Sequence, residues 1–366
     1  MDNNIEKLVR AGIRKILPYV PGKPIEELNR AYGLDIEKIV KLASNENPLG
    51  PSPKAVKAIV ACVGKISRYP EGSGYYLKNR IAEVTKCSPD NIILGSGSSE
   101  IISMLMETFT GEGEEVIYPT PSFLIYRILA LKIGASPVEI PLKPDFSYDL
   151  DKFLERITPR TRVIILCNPN NPTGTIIYRE QMKKFMKNVP DDVIIISDEA
   201  YREYVEDENF GTAYPYFRER NVIIARTFSK IYGLAGLRIG YGIARNEIIG
   251  FMERIRPPFN TTTPGQEGAL AAIDDTEHLR KSLKNNSEGK AYLYKALNYM
   301  GLEYTPTEAN FILCRFRKDA GEIVKELEKR GIIIRSMTGV NPGYARITIG
   351  TPEENRILIK NLKELL

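Results

Sequence analysis

The sequence predicts an α/β protein in which a mostly parallel sheet is flanked by helices and followed by a smaller α+β domain. Between about residues 90 and 245, short β-branched runs alternate with helical patterns. This alternation is typical of a parallel sheet with helices on both faces. The C-terminal part has a different, shorter set of strands and helices. A chain of 366 residues is long enough for two domains.

The individual elements follow in chain order. The N-terminal segment carries prolines among few strand signals, so we expect it to begin as helix and continue as extended chain. Six apolar runs predict the strands of the large sheet: NIIL, EEVIY, RVIIL, DVIIIS, NVIIA and RIGYGIA. Segments between them, such as EIISMLMETF and EQMKKFMKN, predict helices.

The C-terminal part predicts the smaller domain. Its expected elements are NFILCRF, the helix AGEIVKELEKRG ended by Gly331, GIIIRSM, ARITIG and a last helix from Pro352. We therefore expect three regions along the chain. They are an N-terminal segment (1–45) that packs with the small domain, a large ligand-binding domain (46–275) and a small domain (276–366).

Composition and charge argue against several classes of protein. A net charge of +5 is mild for this length, and basic and acidic residues are interleaved, so nucleic acid or an anionic membrane is not expected as the main partner. The four cysteines show no zinc or C-x-x-C spacing, which favours a reducing, cytoplasmic compartment and no metal site. No run is long and apolar enough for a signal peptide or a membrane span. The single histidine, His278, lies in a charged helical stretch and is expected to be solvated, which gives hydrolase triads little support.

Two of the polar segments that follow predicted strands suit an anion and an amide. Ligands of open α/β sheets bind outside the carboxyl ends of the strands. GSGSSE (95–100) follows NIIL and precedes a helix, so its backbone N–H groups suit a phosphate. A serine-capped turn is the alternative. CNPNNPTG (167–174) follows RVIIL, and Asn171 offers an amide that both donates and accepts, with a purely structural turn as the alternative.

Two further segments bring ionisable groups. DEAY places Asp198 at a strand end, where a carboxylate is either a helix N-cap or a buried counter-ion, and Tyr201 follows one turn later. TFSKIYGLAGLRIG places Lys230 after Thr227 and Ser229. A lysine there is either a solvated surface residue or a desolvated amine able to form a Schiff base. Together the four segments supply the groups needed to hold pyridoxal phosphate.

The order of the motifs resembles the fold-type I pyridoxal-phosphate enzymes of aminotransferase class I and II, and among them the histidinol-phosphate aminotransferase family. The resemblance runs nearly from end to end, through LASNENPLGPSP, RYPEGSGYYLK, GSGSSE, YPTPSFLIY, NPNNPTG, SDEAY, TFSKIYGLAGLRIG, EANFIL and ARITIG. It implies a large domain with a seven-stranded sheet, pyridoxal 5′-phosphate as cofactor, and a homodimer with shared active sites.

The resemblance also implies roles for single residues. Lys230 would hold the cofactor covalently and then act as general acid and base. Asp198 would keep the pyridine nitrogen protonated, so that the ring accepts electrons. Asn171 and Tyr201 would hydrogen-bond the 3′ oxygen of the ring, and Phe123 would stack on its face. Lys230, Asp198 and Tyr201 are the predicted catalytic residues.

The cofactor phosphate would be held from two subunits. The expected donors in one subunit are Ser98, Ser99, Thr227, Ser229 and Arg238. The family often has an acidic residue where Ser99 stands, although backbone donors do not depend on the side chain. Tyr69 would reach the phosphate bound by the other subunit, and a core tyrosine is the alternative.

The predicted substrates carry two kinds of anion, a carboxylate and a phosphate, and different residues are expected to bind them. Arg346 matches the family's carboxylate-binding arginine, and a planar guanidinium suits that task. Tyr19 and Arg335 match positions that contact a substrate phosphate, and Asn47 and Asn310 are expected near the substrate. The predicted reaction is a ping-pong exchange of L-histidinol phosphate and 2-oxoglutarate with imidazole-acetol phosphate and L-glutamate, in histidine biosynthesis.

Three alternatives to this reaction stay open. An aromatic amino-acid aminotransferase and a threonine-phosphate decarboxylase of the same superfamily would share these motifs. Which bond breaks depends on how the substrate lies against the cofactor ring, and the motifs do not encode that pose. A non-catalytic module that binds a nucleotide or pyridoxal phosphate is the alternative from a different class.

Overall fold

The computed structural model describes residues 5–19 and 21–366. Its strands are β1 (Val40–Leu42), β2 (Ile92–Gly95), β3 (Glu115–Thr120), β4 (Ser136–Pro141), β5 (Thr161–Cys167), β6 (Ile194–Asp198), β7 (Val222–Thr227), β8 (Gly240–Ile243), β9 (Glu303–Thr305), β10 (Phe311–Arg315), β11 (Ile332–Ser336) and β12 (Tyr344–Thr348). Its α-helices are α1 (Ala11–Arg14), α2 (Ile25–Tyr32), α3 (Pro53–Cys62), α4 (Tyr75–Thr85), α5 (Ser98–Phe109), α6 (Ile125–Ile133), α7 (Leu150–Glu155), α8 (Arg179–Asn188), α9 (Asn246–Glu253), α10 (Thr263–Ile273), α11 (Thr276–Tyr299), α12 (Ala320–Lys329) and α13 (Pro352–Leu365).

The large sheet has seven strands in the order β2-β8-β7-β6-β5-β3-β4. Strands β4, β3, β5, β6 and β7 run parallel to one another, whereas β8 runs antiparallel to both β7 and β2. The prediction of a mostly parallel sheet is confirmed. Each of the six apolar runs read from the sequence lies in one of these strands.

Helices cover both faces of the large sheet, and its middle strands are buried on both sides. Successive residues of a strand point to opposite faces. Thus Ile164 packs in one apolar cluster with Phe185 of α8, while the adjacent Val163 packs in the other with Leu105 of α5. This double burial explains why the strands are continuous Ile- and Val-rich runs without polar alternation.

Strand β4 is the element of the large sheet that the sequence did not predict. It contains Pro137 and Pro141, which lack the N–H group that a central strand needs. The structure places β4 at the edge of the sheet, beside β3, where one row of backbone groups needs no strand partner. The two prolines therefore kept β4 from being predicted as a strand, although they are compatible with its position at the edge of the sheet.

The small sheet has five strands in the order β1-β11-β12-β10-β9. Strand β1 pairs in parallel with β11, and the other pairs are antiparallel. Its apolar face packs against α11, α12 and α13 through Leu297, Leu327 and Leu358. The predicted end of α12 is confirmed, because the helix stops at Lys329 and Gly331 just beyond it has a left-handed φ of 77°, which glycine adopts without strain.

The N-terminal segment contacts elements of both sheets. Helix α2 lies beside α12, where Lys23 Nζ is 2.7 Å from Glu328 Oε2, and β1 is an edge strand of the small sheet. Helix α1 instead packs on α6 of the large domain, where the Arg10 guanidinium donates to the Lys132 carbonyl. The limits 1–45, 46–275 and 276–366 stay predictions.

The single histidine is buried, so the expectation that it is solvated is wrong. His278 is 7% exposed and lies in the first turn of α11, where its backbone N–H group donates to Oδ1 of the N-cap residue Asp275. Along α11 it begins a buried stripe that continues with Ser282 and Asn286. The charged residues that suggested a solvated stretch occupy the other faces of this amphipathic helix.

Neither a membrane-spanning helix nor a metal-binding cluster is found in the described ranges 5–19 and 21–366. No helix within them combines the length and the apolar composition that a bilayer crossing requires. No group of three or more histidine, cysteine or carboxylate side chains within them is placed to hold a metal ion.

Candidate active site

A cavity of about 290 Å³ lies where the carboxyl ends of β5, β6 and β7 face the small sheet. The predicted site residues that line it are Tyr19, Ser98, Ser99, Phe123, Asn171, Asp198, Tyr201, Thr227, Ser229, Lys230, Arg238, Arg335 and Arg346. The residues that the sequence argument collected from separate segments are thus brought together at one edge of the large sheet.

Lys230 follows the end of β7 and reaches the cavity wall. Its Nζ donates to the Ser44 carbonyl at 3.2 Å and lies 5.4 Å from the centre of the Tyr201 ring. Burial of the amino group lowers the pKa of Lys230 to about 8, with the positive charge of Arg346 acting in the same direction and Glu46 in the opposite one. The lysine is therefore a desolvated amine, the second of the two interpretations that the sequence left open.

A turn fixes the backbone that carries Lys230. The Gly233 N–H group donates to the Lys230 carbonyl at 3.0 Å, and Gly233 has a left-handed φ of 70°. A side chain at this glycine would clash with the carbonyl of Gly50. The glycine in KIYG is thus required by both the turn and the close approach of a second chain segment.

Asp198 is a buried carboxylate at the end of β6. Its Oδ2 accepts a hydrogen bond from the Tyr126 hydroxyl at 2.7 Å, and its Oδ1 accepts one from the Ala200 N–H group at 3.2 Å. Burial raises the pKa of Asp198 to about 6, although the hydrogen bond from Tyr126 opposes this shift. Asp198 is therefore a buried counter-ion rather than an exposed helix cap.

Tyr126 is a residue that the sequence argument missed. It lies 72 positions before Asp198 in the chain, so no local spacing connects the two residues. The available signal was general, because a buried tyrosine hydroxyl usually finds a hydrogen-bond partner.

A hydrogen-bonded chain links Tyr201, Asn171 and Arg346. The Tyr201 hydroxyl accepts from Asn45 Nδ2 at 2.9 Å and from Asn171 Nδ2 at 3.4 Å. Asn171 Oδ1 in turn accepts from Arg346 Nη1 at 2.6 Å. Burial raises the pKa of Tyr201 to about 12, so its hydroxyl keeps a proton that it can donate into the cavity.

Arg335 and Arg346 lie side by side on the small sheet. They are register partners on β11 and β12, and residues opposite each other in neighbouring strands share a face of the sheet. Arg346 Nη2 donates to the Ala43 carbonyl at 2.7 Å, while its Nε is buried without a hydrogen-bond partner. A buried polar atom of this kind suits an anionic ligand, and two guanidinium groups suit a dianion.

A second anion-binding group lies at the N-terminus of α5, where Ser98 and Ser99 line the same cavity. The first N–H groups of α5 have no acceptor within the helix. Ser229 accepts hydrogen bonds from Thr227 at 2.9 Å and from Arg238 Nη1 at 3.3 Å. Gly97 precedes the helix, and a Cβ atom there would lie 2.7 Å from Arg238 Nη2. The glycine thus lets the guanidinium approach the helix N-terminus.

These groups fit pyridoxal phosphate. The helix N-terminus, hydroxyls and Arg238 suit its phosphate, and the Asp198 carboxylate suits a protonated pyridine nitrogen. The Lys230 amine suits its aldehyde. The partnerless Nε of Arg346 leaves a donor for an anion of a second molecule.

Two predicted substrate residues do not reach the cavity. Asn47 Nδ2 donates to the Ile231 carbonyl at 2.7 Å and to Ser282 Oγ at 2.9 Å. Asn310 Nδ2 donates to the Asn45 carbonyl at 3.0 Å. Their predicted role near the substrate stays a prediction, and in the structure their amide N–H groups bond to protein groups and hold the segment that carries Asn45. Asn45 lines the cavity, and the sequence SNENP, with asparagines at 45 and 47, gave no basis for preferring it.

Tyr69 lies outside the cavity of its own protomer. It is 80% exposed, and its ring stacks on Phe259 with 4.5 Å between the ring centres. The alternative of a core tyrosine is therefore wrong. Its contact with a second subunit stays a prediction.

Comparison with known proteins gives a consistent result. Residues 37–362 match the family of aminotransferases of class I and II. The histidinol-phosphate aminotransferase of Moorella thermoacetica is 46% identical over 362 residues, which cover 98% of this chain and 92% of that protein. That of Caldicellulosiruptor saccharolyticus is 44% identical over 361 residues, covering 98% and 100%. The crystal structure of histidinol-phosphate aminotransferase from Sinorhizobium meliloti in complex with pyridoxal-5′-phosphate aligns with a TM-score of 0.88 at 27% identity, covering 98% of both chains.

Proposed function

From the premise that the chain belongs to the aminotransferases of class I and II, we propose that it acts on L-histidinol phosphate. The reaction exchanges L-histidinol phosphate and 2-oxoglutarate with imidazole-acetol phosphate and L-glutamate, with pyridoxal 5′-phosphate as cofactor, in histidine biosynthesis. The observation that carries the proposal is the pair of neighbouring arginines, Arg335 and Arg346, in the same cavity as Lys230. The identity of 40% and more to histidinol-phosphate aminotransferases over nearly the whole chain supports it.

The cofactor divides the chemistry with the protein. When bound, pyridoxal phosphate supplies a carbonyl that condenses with amines and a ring that withdraws electrons from the substrate carbon. Lys230 attaches it and, after the substrate amine takes its place, moves a proton between the substrate Cα and the cofactor C4′. A pKa of about 8 leaves part of the Lys230 amine neutral near pH 7, as a base requires.

Two groups proposed to hold the cofactor ring each keep one protonation state: Asp198 is ionised and Tyr201 is protonated. Ionised Asp198 keeps a proton on the pyridine nitrogen, which increases the electron demand of the ring. Tyr201, whose hydroxyl stays protonated, donates to the 3′ oxygen, and Asn171 orients that hydroxyl through its amide. Phe123 lines the same cavity, and its proposed role is to stack on the face of the ring.

The two half-reactions bring two different anions to one place. Glutamate presents a carboxylate, and histidinol phosphate presents a dianionic phosphate. A planar guanidinium binds either anion with two parallel hydrogen bonds. Arg346 suits the carboxylate, and Arg335, with Tyr19 at the rim of the cavity, adds the donors that a phosphate requires.

The proposal includes a homodimer. Large apolar side chains are exposed on α3 and in the segment that follows it: Val56, Val60, Val63, Ile66, Tyr69, Tyr75 and Tyr76. We infer that these side chains form an apolar patch of the kind that is typical of a protein interface, and a symmetric dimer would cover it on both copies. Tyr69 lies in this patch, which supports its placement against the cofactor phosphate of the partner.

Mixed dimers test the shared site. Lys230→Ala and Tyr69→Ala would each be inactive or weak alone. A dimer with one copy of each has one site with both wild-type residues, so random mixing by unfolding and refolding should restore about a quarter of the wild-type activity. Two variants that show no gain on mixing would contradict the shared site.

The compartment is part of the same proposal. The four cysteines are free thiols, and Cys62, Cys167 and Cys314 are buried. Free buried thiols are usual for proteins of a reducing compartment. We therefore place the reaction in the cytoplasm, and localisation of the tagged protein in cell fractions would test this.

The substrate is tested by single half-reactions. The protein loaded with pyridoxal phosphate is mixed with L-histidinol phosphate, L-phenylalanine or O-phospho-L-threonine without an oxo acid, and the visible band is followed. Conversion of the band at the lowest concentration with histidinol phosphate supports the proposal. Preference for phenylalanine would make the protein an aromatic aminotransferase, and carbon dioxide from phosphothreonine would make it a decarboxylase. Absence of any visible band would indicate a module that does not use this cofactor.

A further inference from the structure

Tyr126 lies next to Asp198 and donates a hydrogen bond to its carboxylate. It lies on α6, none of its side chain is exposed, and its hydroxyl is 2.7 Å from Asp198 Oδ2. Its ring packs edge-on against Phe123, with 5.9 Å between ring centres and 85° between planes. The same turn of chain thus supplies a ring that lines the cavity and a hydroxyl that contacts the carboxylate behind it.

The Tyr126 hydroxyl acts as a hydrogen-bond donor to the Asp198 carboxylate. Burial raises its pKa well above the ordinary range, and the negative charge of Asp198 raises it further, so the phenol stays neutral. A carboxylate that accepts a hydrogen bond is favoured in its charged form. Asp198 is 4% exposed, and without this donor burial would favour its protonated form at higher pH.

The other ionisable groups around Asp198 come from several elements. They are Cys167 at the end of β5, Tyr148 before α7, Glu199 and Tyr201 after β6, and Lys230 after β7. Glu199 is paired with Arg226 at 2.8 Å, and burial raises the pKa of Cys167 to about 12, so the thiol is neutral. The side chain that donates a hydrogen bond to Asp198 is Tyr126.

We propose that Tyr126 is a positioning residue, which holds the Asp198 carboxylate charged and oriented toward the cavity for the pyridine nitrogen. The role toward the cofactor rests on the proposed function. The charge state of Asp198 does not, because it is set by protein groups alone. The two can therefore be tested separately.

The first test uses the protein without cofactor. Tyr126→Phe removes one oxygen atom, and the Asp198 carboxyl is titrated by infrared or ¹³C carboxyl spectroscopy, with Asp198→Asn to assign its signal. Burial raises the pKa of Asp198 to about 6 in the wild type, and we expect the titration midpoint to rise by about one pH unit or more in Tyr126→Phe, the size expected for a hydrogen bond to a charged group.

Tyr148 provides a matched control. It is 1% exposed, and its hydroxyl donates to the Cys167 carbonyl at 2.6 Å. Tyr148→Phe therefore removes an equally buried hydroxyl from the same neighbourhood without touching Asp198. Its Asp198 midpoint should equal that of the wild type.

A second substitution keeps the test informative if Tyr126→Phe does not fold. A fluorinated tyrosine at position 126 retains the shape and the hydroxyl but is a stronger donor. It should lower the Asp198 midpoint, opposite to Tyr126→Phe. An Asp198 midpoint that is the same with tyrosine, fluorotyrosine and, where it folds, phenylalanine would overturn the proposal and leave Tyr126 as a packing residue.

The second test uses the protein loaded with pyridoxal phosphate. In Tyr126→Phe the acidic limb of kcat/KM should move to higher pH by the same amount as the carboxyl midpoint, so that for a shift of about one unit activity falls about twofold at pH 7 and about tenfold at pH 5. An acidic limb that stays in place while the carboxyl midpoint moves would overturn the role toward the cofactor. If the wild type binds no pyridoxal phosphate, the proposed function fails, whereas the carboxyl titration still decides what Tyr126 does to Asp198.

Discussion

The two sheets carry functional residues in different ways. In the large sheet, Asp198 and Lys230 stand at or just after the carboxyl ends of parallel strands. In the small sheet, Arg335 and Arg346 stand within antiparallel strands and share a face because of their register. In the large sheet, the position of a functional group is set by where its strand ends. In the small sheet, it is set by which residues pair between neighbouring strands. The reactive groups Asp198 and Lys230 and the paired arginines Arg335 and Arg346 thus depend on different features of the fold.

Loss of the Lys230 amine tests the large-sheet side and should have the largest effect. Lys230→Ala removes both the attachment point and the base, so turnover should fall by about 10⁴-fold or more. The measurement is kcat with histidinol phosphate and 2-oxoglutarate, together with the loss of covalent cofactor attachment.

A buried lysine elsewhere separates chemistry from packing. Lys290 is 8% exposed and pairs with Glu206 at 2.7 Å, outside the cavity. Lys290→Ala should lower the melting temperature while the purified, folded enzyme keeps most of its kcat. Equal loss of turnover in both variants would mean that any buried lysine is needed only for folding.

Substitution of the paired arginines tests the small-sheet side. Arg346→Lys keeps the charge but loses the planar fork, so kcat/KM should fall about 100-fold for both glutamate and histidinol phosphate. Arg335→Lys should act more selectively and impair the phosphorylated substrate more than glutamate. Steady-state kinetics of both half-reactions measure this difference.

An exposed arginine on a neighbouring strand is the control for these variants. Arg315 is on β10 and pairs with Glu303 at 3.0 Å. Arg315→Lys should leave both kinetic constants within about twofold of wild type. If Arg335→Lys and Arg346→Lys affected the two substrates in the same ratio, the division of anions between the two arginines would be wrong.

The difference between the sheets also explains what the sequence could predict. Runs of Ile and Val in a doubly covered sheet are conspicuous, and strand ends follow from where such runs stop, so Asp198, Lys230 and Asn171 could be placed in advance. The contact of Arg335 with Arg346 depends on register between two strands, which single-sequence patterns do not encode. The resemblance to a family supplied these two arginines.

Other parts of the site were hidden for physical reasons of the same kind. Tyr126 reaches Asp198 across 72 positions of sequence. The difference between Asn45 and Asn47 depends on contacts made in the folded chain, because the Asn45 amide donates to the Tyr201 hydroxyl at the cavity whereas the Asn47 amide donates to the Ile231 carbonyl. Both are consequences of packing between segments, and propensity or spacing carries no signal for them.

Substitution of Asn45 or Asn47 should have an effect of intermediate size and tests which of the two asparagines serves the site. Asn47→Ala leaves a buried carbonyl and hydroxyl without their donor, so it should lower the free energy of unfolding by about 1–3 kcal/mol and change kcat little. Asn45→Ala removes the shorter of two hydrogen bonds to the Tyr201 hydroxyl, so it should lower kcat more than its cost in stability suggests. Denaturant unfolding and kcat are measured for both variants. A larger kcat effect for Asn47→Ala than for Asn45→Ala would support the predicted role of Asn47 near the substrate.

The smallest expected effect concerns the charge of Glu46 near Lys230. Covalent attachment of pyridoxal phosphate needs the neutral amine, so its rate should rise with pH through a midpoint at about 8. Glu46 favours the charged amine, and Glu46→Gln should therefore lower this midpoint by a few tenths of a pH unit, since a partly exposed charge is screened. The exposed Glu303→Gln is the control and should leave the midpoint unchanged. A midpoint that rises in Glu46→Gln would contradict the assignment, because loss of a nearby negative charge can only disfavour the protonated lysine.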